Sequence, residues 1–363
     1  MKILCIGDAM IPGADFAAAA RALGNAECVV DDWESNWSQL QRRRLIVEQQ
    51  GPGVESAPRT FTAHPDAEMI LGLYLPVSAQ GMDALKHLRL IGIARAGTEN
   101  VDIAAATARG ILVVNVLGRN AEAVSDFAIG LLLSEARNIA RAHTAVKGGT
   151  WRKVFSNSAH VPELKGKTVG IVGFGFIGRL VAKKLSGFDV RLLVYDPGVP
   201  AEEISQAGAH PATTRELFAE ADFVTLHARL TEENRGMVGE AELKLMKPTA
   251  YLINTARAGL IDTEALVAAL RATSIAGAAL DVFDAEPIPE GHPLLGLDNV
   301  TLTSHLAGTT REALTRSPEL LVAAVRALVD EGNARSVRNP ELLSTPAVDA
   351  WRQRTRAQLG RNR

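Results

Sequence analysis

Cysteine is scarce in this 363-residue sequence: there are two, Cys5 and Cys28. Two thiols build neither a disulfide framework nor a zinc cluster, and they fit a reducing cytoplasm; no metal site is expected. Aromatic residues make up 5% of the chain, and without aromatics interleaved among the arginines of residues 344–363 a nucleic-acid-binding arm there is the less favoured reading. Neither sign of charge dominates. Against 39 basic residues stand 41 acidic ones, so no global field recruits nucleic acid or an anionic membrane. No apolar run approaches the roughly 18 residues of a transmembrane helix. The opening run Met1–Ile6 meets Gly7-Asp8 too early for a signal-peptide core and reads as a buried strand. What is present is ordinary globular composition: 47% hydrophobic and 22% charged residues, with 31 Gly and 16 Pro. At about 150 residues per domain this is two domains with sizeable cores.

Short β-rich runs alternate with helical patterns, which points to an α/β fold with doubly wound parallel sheets. In the first third the strand candidates are Ile3–Ile6, Met69–Leu73, Leu90–Ala94 and Ile111–Val114. The Pro- and Gly-bearing stretch Gly51–Pro65 reads as a loop. Residues 120 to 147 form the longest helical pattern without proline. Val124, Phe127, Ile129, Leu131, Leu132, Leu133 and Ile139 put apolar groups on more than one of its faces. Such a helix is expected to pack on its own domain and on a second domain or subunit, or else to be a long core helix. A second series starts at Lys167, with strands at Thr168–Val172, Leu192–Tyr195, Phe223–Leu226, Ala250–Asn254, Ala276–Leu280 and Val300–Leu302, and five helical segments between them. That is a six-stranded doubly wound sheet. One further helix, about 310 to 330, follows. Residues 344–363 hold Arg352, Arg354, Arg356, Arg361 and Arg363 against one acid, and read as a solvated basic C-terminal tail.

Gly173-Phe174-Gly175-Phe176-Ile177-Gly178 follows an apolar strand run and opens a helical pattern. A G-x-G-x-x-G string alone is weak, but here it has the strand-turn-helix context its mechanism requires. Gly173 allows the tight turn, Gly175 lets backbone approach a pyrophosphate, and Gly178 packs helix on strand. Asp196, just past Leu192–Tyr195, is placed to accept hydrogen bonds from an adenosine ribose and to repel a 2′-phosphate. The pattern predicts NAD rather than NADP.

Three polar groups fall where strands of this sheet should end, the side on which open α/β sheets bind ligands. Arg257 follows Ala250–Asn254, Glu286 follows Ala276–Leu280, and His305 follows Val300–Leu302. Taken singly they read as a surface ion-pair partner, a loop acid and a turn histidine. Together, beside a nicotinamide site, they match the reduction of a 2-oxo acid. That reaction needs a hydride donor, an acid to protonate the nascent alkoxide and a cation for the carboxylate. His serves as the acid near neutral pH. A carboxylate on its other ring nitrogen orients it and favours the imidazolium. Arg presents a planar fork to carboxylate and carbonyl oxygens.

With these motifs the sequence resembles the D-isomer-specific 2-hydroxyacid dehydrogenase family, in its phosphoglycerate-dehydrogenase-like branch. The resemblance runs through nearly all of residues 85–343. It rests on Asn100-Val101-Asp102, Asn120–Val124, the glycine motif, Thr255–Asp262, Asp281–Pro287 and His305–Gly308. It implies that Arg257 binds substrate, Glu286 polarises His305, and His305 donates or accepts the proton. It also implies cofactor contacts at Phe176, Ile177, Asp196, His227, Thr255, Ala256, Arg257, Asp281, His305 and Gly308, and a carboxylate-binding loop at Arg95, Ala96 and Gly97. The implied architecture is two Rossmann-like or flavodoxin-like domains. A discontinuous substrate domain, 1–118 and 309–343, would hold an inserted NAD-binding domain, 119–308, with a homodimer formed through the 120–147 helix. Substrate is expected in the cleft between the domains, and no regulatory domain is expected after Leu343.

The sequence departs from the family at Arg95, where Gly is usual, at Asp126 for Glu, at Arg229 for Pro, and in the segment 33–62, which has no counterpart. Arg95 and Arg119 stand open between holding a substrate phosphate and making surface pairs. The leading expectation is an NAD-dependent D-2-hydroxyacid dehydrogenase or 2-oxoacid reductase acting on a small-molecule acid. The alternative from another class is a non-enzymatic NAD(H)-sensing protein on the same scaffold. Formate or phosphite oxidation is a third, and the Glu286–His305 pair argues against its formate version.

Overall fold

A computed structural model describes residues 1–360 of the chain. It comprises two compact units: residues 1–119 with the chain from Thr310 onward, and residues 120–309.

The first unit is built on five parallel strands: β1 (Lys2–Gly7), β2 (Glu27–Asp32), β3 (Met69–Gly72), β4 (Leu90–Ile93) and β5 (Leu112–Asn115), in the order β2-β1-β3-β4-β5. Strands β1, β3, β4 and β5 are buried nearly throughout, as continuous apolar runs covered on both faces should be. Strand β2 escapes the sequence reading because three of its six residues are acids. Glu27, Asp31 and Asp32 are exposed along the sheet edge, where charge discourages pairing with another sheet. The opposite edge is capped by the returning chain. Buried Asn339 accepts from the Val113 N–H at 3.0 Å and donates to the Ile111 carbonyl at 2.8 Å. The helix Ser317–Glu331 puts Leu321, Val325 and Leu328 into the same core as Ile3 and Leu112.

Two expectations for this unit are corrected. The stretch Gly51–Pro65 is not a plain loop: it carries a 3-10 turn, Pro52–Val54, and a helical turn, Arg59–Ala63, anchored by fully buried Phe61. The basic tail is not solvated either. Residues Pro346–Gly360 form a helix that buries Val348 and Trp351 in the first unit's core, so its arginines are the outer face of an amphipathic helix. Arg361 and Arg363 lie outside the described residues.

The second unit holds seven parallel strands: β6 (Thr168–Val172), β7 (Arg191–Tyr195), β8 (His210–Pro211), β9 (Phe223–Leu226), β10 (Tyr251–Asn254), β11 (Gly277–Leu280) and β12 (Val300–Leu302). Their order is β12-β11-β10-β9-β6-β7-β8, the Rossmann arrangement with a switch point between β6 and β9. The seventh strand, β8, is a two-residue edge ending in proline, too short for any periodicity to reveal.

The expected continuous helix over 120–147 is two helices, Ala121–Ala136 and Ile139–Lys147. They break at Asn138, which is buried and left-handed at φ 57°. Its Nδ2 donates to Asn157 Oδ1 at 2.7 Å, and Asn157 in turn donates to the Ala136 carbonyl at 3.1 Å and to the Tyr251 hydroxyl at 2.8 Å. An amide with a partner some twenty residues on thus ends the first helix without proline. The first helix spends its apolar faces inside its own unit, where Phe127, Ile129, Leu131, Leu132 and Leu133 all pack on one core.

Candidate active site

The C-terminal ends of the second unit's strands carry the residues on which the chemistry depends. Gly173 closes β6 at φ +92°, and a Cβ there would come within 2.5 Å of the Ala228 backbone nitrogen. At Gly178 a Cβ would collide with the Gly173 carbonyl, so the helix Phe176–Leu185 can start this close only without a side chain. Gly175 is the reverse case: nothing lies within 4 Å of an added Cβ, which leaves the backbone open to an approaching group. Phe176 is exposed, and Ile177 packs inward.

Asp196 follows β7 and accepts from the Phe174 N–H at 2.7 Å and the Gly198 N–H at 2.9 Å. It thereby ties the second strand end to the glycine turn. A carboxylate has about four lone-pair positions, so each oxygen keeps one for a diol. At the end of β9, His227 Nε2 meets Thr225 Oγ1 at 2.9 Å while buried Nδ1 has no partner. Burial lowers the pKa of this imidazole to about 3, which makes it a neutral group at any working pH.

Strand β10 ends in Asn254, buried and fully engaged. Its Oδ1 accepts from the Ala256 N–H and its Nδ2 donates to the Arg257 carbonyl, both at 2.9 Å. This brace shapes the Thr255–Arg257 turn, and the sequence reading passed over it. A polar residue closing an apolar strand was the available signal. Thr255 Oγ1 is buried without a partner. Arg257 is exposed; its Nη1 donates to the neighbouring Ala256 carbonyl, and no carboxylate pairs with it among the described residues.

Asp281, at the end of β11, is completely buried. Its carboxylate accepts from Thr303 Oγ1 at 2.6 Å and from the N–H groups of Leu306 and Ala307, both at 2.9 Å. The resemblance implied a cofactor contact for Asp281; in the structure these bonds hold the turn that carries His305. Thr303 was not singled out from the sequence. His305 is left-handed at φ 55°, a conformation non-glycine residues adopt rarely, and Asp281 pins the two residues after it. His305 Nδ1 lies 2.7 Å from Glu286 Oε2, and the other Glu286 oxygen accepts from the Phe283 N–H at 3.1 Å. Nε2 of the exposed ring is left free to face a substrate. Strands β10, β11 and β12 are consecutive in the sheet, so the strands that lead into the Arg257 and His305 turns lie about 10 Å apart. Gly308 packs against the Asn120 side chain.

NAD fits this set. Gly175 offers open backbone at a helix start, Asp196 has spare acceptor capacity, and Thr255 Oγ1 and His227 Nδ1 are buried polar atoms awaiting partners. In the first unit Arg95, Ala96 and Gly97 follow β4, where the Ala96 carbonyl accepts from Asn115 Nδ2. Arg95 pairs with Glu48 at 2.8 Å and Glu99 at 3.1 Å.

Comparison with known proteins agrees with this geometry. The family model for the NAD binding domain of D-isomer specific 2-hydroxyacid dehydrogenases matches residues 129–307. A glyoxylate reductase from Thermofilum pendens is 41% identical over 282 residues, covering 75% of this chain and 81% of that protein. A D-3-phosphoglycerate dehydrogenase from Archaeoglobus fulgidus is 42% identical over 238 residues, 65% of this chain and 44% of its own length. The crystal structure of a glyoxylate reductase from Paecilomyes thermophila superposes with a TM-score of 0.70 at 26% identity, covering 94% of this chain and 99% of that one.

Proposed function

The chain belongs to the D-isomer-specific 2-hydroxyacid dehydrogenase family, and from that premise we propose how its own residues carry out the reaction. It is an NAD-dependent oxidoreductase acting on the CH–OH group of 2-hydroxy acids. The substrate is a small 2-oxo or 2-hydroxy acid of the kind its glyoxylate reductase and phosphoglycerate dehydrogenase relatives are named for. Bound at the glycine turn, the nicotinamide cofactor supplies or accepts a hydride at C2. Arg257 holds the carboxylate and the carbonyl oxygen with a guanidinium that no carboxylate of the described residues claims. His305 Nε2 gives its proton to that oxygen in reduction and takes it back in oxidation. Glu286 fixes Nδ1 as the donor to itself, so that Nε2 alone faces the acid.

The observation that carries the proposal is the 2.7 Å bond between Glu286 and the exposed ring of His305. A protein that only senses NAD(H) has no use for an oriented proton donor at its surface. Free Cys5 and Cys28 support a reducing, cytoplasmic setting, and balanced charge supports a small-molecule partner rather than nucleic acid or membrane. No helix among the described residues is long and apolar enough to cross a membrane.

The test is kcat/KM in both directions for the wild type and Glu286→Gln, with NADH affinity measured alongside. The amide no longer presents two equivalent oxygens to Nδ1 and the Phe283 N–H, so the ring loses its fixed orientation and kcat/KM should fall roughly tenfold or more in both directions while NADH affinity stays in place. Unchanged kinetics in Glu286→Gln would mean that this pair does not orient the proton donor.

A further inference from the structure

Glu286 stands on a stretch without helix or strand, residues 282–291, that follows β11. Such a segment has no hydrogen-bond ladder to fix its backbone, so its side-chain bonds decide where Glu286 points. Apart from a local turn from Pro289 to His292, two hydrogen bonds tie it to the rest of the protein among the described residues. One is that of Glu286 itself with His305. The other joins the loop to a helix: the Thr263 hydroxyl donates to Asp284 Oδ2 at 2.6 Å, the length of a charge-assisted bond.

Thr263 is a fixed point. It opens the helix Thr263–Arg271, which buries Leu266, Val267 and Leu270 in the second unit's core. Asp262 caps that helix, its Oδ1 accepting from the Ala265 N–H at 3.1 Å. The helix therefore has its cap already, and a capping role does not account for Asp284. Apolar packing does not seat the loop on the helix either. A cavity lined by Ile261, Leu266, Phe283 and Leu294, together with Thr263 and Asp284, lies between them.

From Thr263 a chain of bonds runs to the imidazole. Asp284 hangs on Thr263, and its neighbour Phe283 donates its N–H to Glu286 Oε1 at 3.1 Å. Glu286 Oε2 then lies 2.7 Å from His305 Nδ1. Asp281 fixes the turn that carries the histidine; the bond between Thr263 and Asp284 does the corresponding work for the loop that carries the acid.

We propose that Thr263 and Asp284 are positioning residues for the proton transfer, their bond holding the loop so that Glu286 meets Nδ1 of His305. This deepens the reaction proposed above and rests on it. Both residues act through Glu286 and not on the substrate.

The experiment measures NADH-dependent reduction of a panel of 2-oxo acids, with NADH affinity by fluorescence. Thr263→Val keeps the shape of the side chain and removes the donor. It should lower kcat roughly threefold to tenfold, the size of one hydrogen bond, and leave KM and NADH affinity in place. Thr263→Ser should restore most of the loss. Asp284→Ala should lose as much as Thr263→Val, and the double variant no more than either. In a Glu286→Gln background Thr263→Val should cost nothing further. A full loss in that background, a loss confined to KM, unchanged kinetics in Thr263→Val or no rescue by serine overturns the proposal. Deuterium exchange of the peptide spanning Phe283 needs no substrate. Its amide should exchange roughly threefold to tenfold faster in Thr263→Val than in the wild type, and at the wild-type rate in Thr263→Ser. If no 2-oxo acid is reduced, the proposed reaction falls and the exchange judges the bond by itself. Equal exchange in wild type and Thr263→Val shows that Thr263 does not hold the loop, and overturns the proposal.

Discussion

Asp281 accepts three hydrogen bonds from the turn that carries His305, and the turn must hold that histidine at φ 55°. Asparagine at this position keeps the shape but presents an amide to two backbone N–H donors that cannot both be satisfied. A buried hydrogen bond to a charged group is worth about 1.5–3 kcal/mol. Moving the turn relieves that strain, so Asp281→Asn should lower kcat/KM roughly tenfold to hundredfold although Glu286 and His305 both remain. Steady-state kinetics on the variant check this, and unchanged kinetics would show that the turn holds its shape without the carboxylate. Residue identities at the strand ends were legible in the sequence because each closes an apolar run. The work of Asp281, Asn254 and Thr303 was not, since a hydrogen-bond brace leaves no periodic signal.

At the scale of elements, the helices Ala121–Ala136 and Ile139–Lys147 are locked across their break by a buried ion pair. Arg141 forks onto Glu135, which also accepts from Thr301, and both side chains are nearly inaccessible. Burial pushes the Glu135 carboxyl up to about 7 despite Arg141 and Thr301. Arg141→Met leaves a buried acid without its cation and should destabilise the second unit by about 3–5 kcal/mol. A carboxyl whose pKa is raised on folding costs stability only above about 4.5, where the unfolded chain ionises. The loss should therefore be larger at pH 8 than at pH 5, as urea unfolding at the two values would show. Equal losses would mean that Glu135 stays neutral in the wild type. The central strands were readable because burial on both faces makes them uniformly apolar. Charged β2, two-residue β8 and the break at Asn138 were not, each being set by sheet edges or by a distant partner. The helix Pro346–Gly360 was masked by its arginines, although Val348 and Trp351 at three-residue spacing carried the helical signal.

For the whole molecule, the helix Ala121–Ala136 has its apolar residues occupied within its own unit, so the case for a homodimer rests on the segment beyond it, residues 139–154. Ile139 and Val146 are about half exposed, and Trp151 and Val154 are 79% and 74% exposed. Four large apolar side chains exposed within sixteen residues are what a second copy of the chain would cover. Light scattering at micromolar concentration should give twice the chain mass of 38.7 kDa, and Trp151→Glu with Val154→Glu should shift it toward one. A stable wild-type monomer would contradict the dimer. Everything proposed for the reaction depends on His305 as the proton donor of an NAD-dependent 2-oxoacid reductase. Its role is tested most directly by comparing wild type and His305→Asn for NADH oxidation with a panel of 2-oxo acids, alongside NADH binding by fluorescence. The expected outcome is reduction of at least one acid by the wild type, a loss of about 10²–10⁴-fold in the variant, and NADH affinity nearly intact. Activity that survives in His305→Asn, or a loss explained by failure to bind NADH, would contradict it.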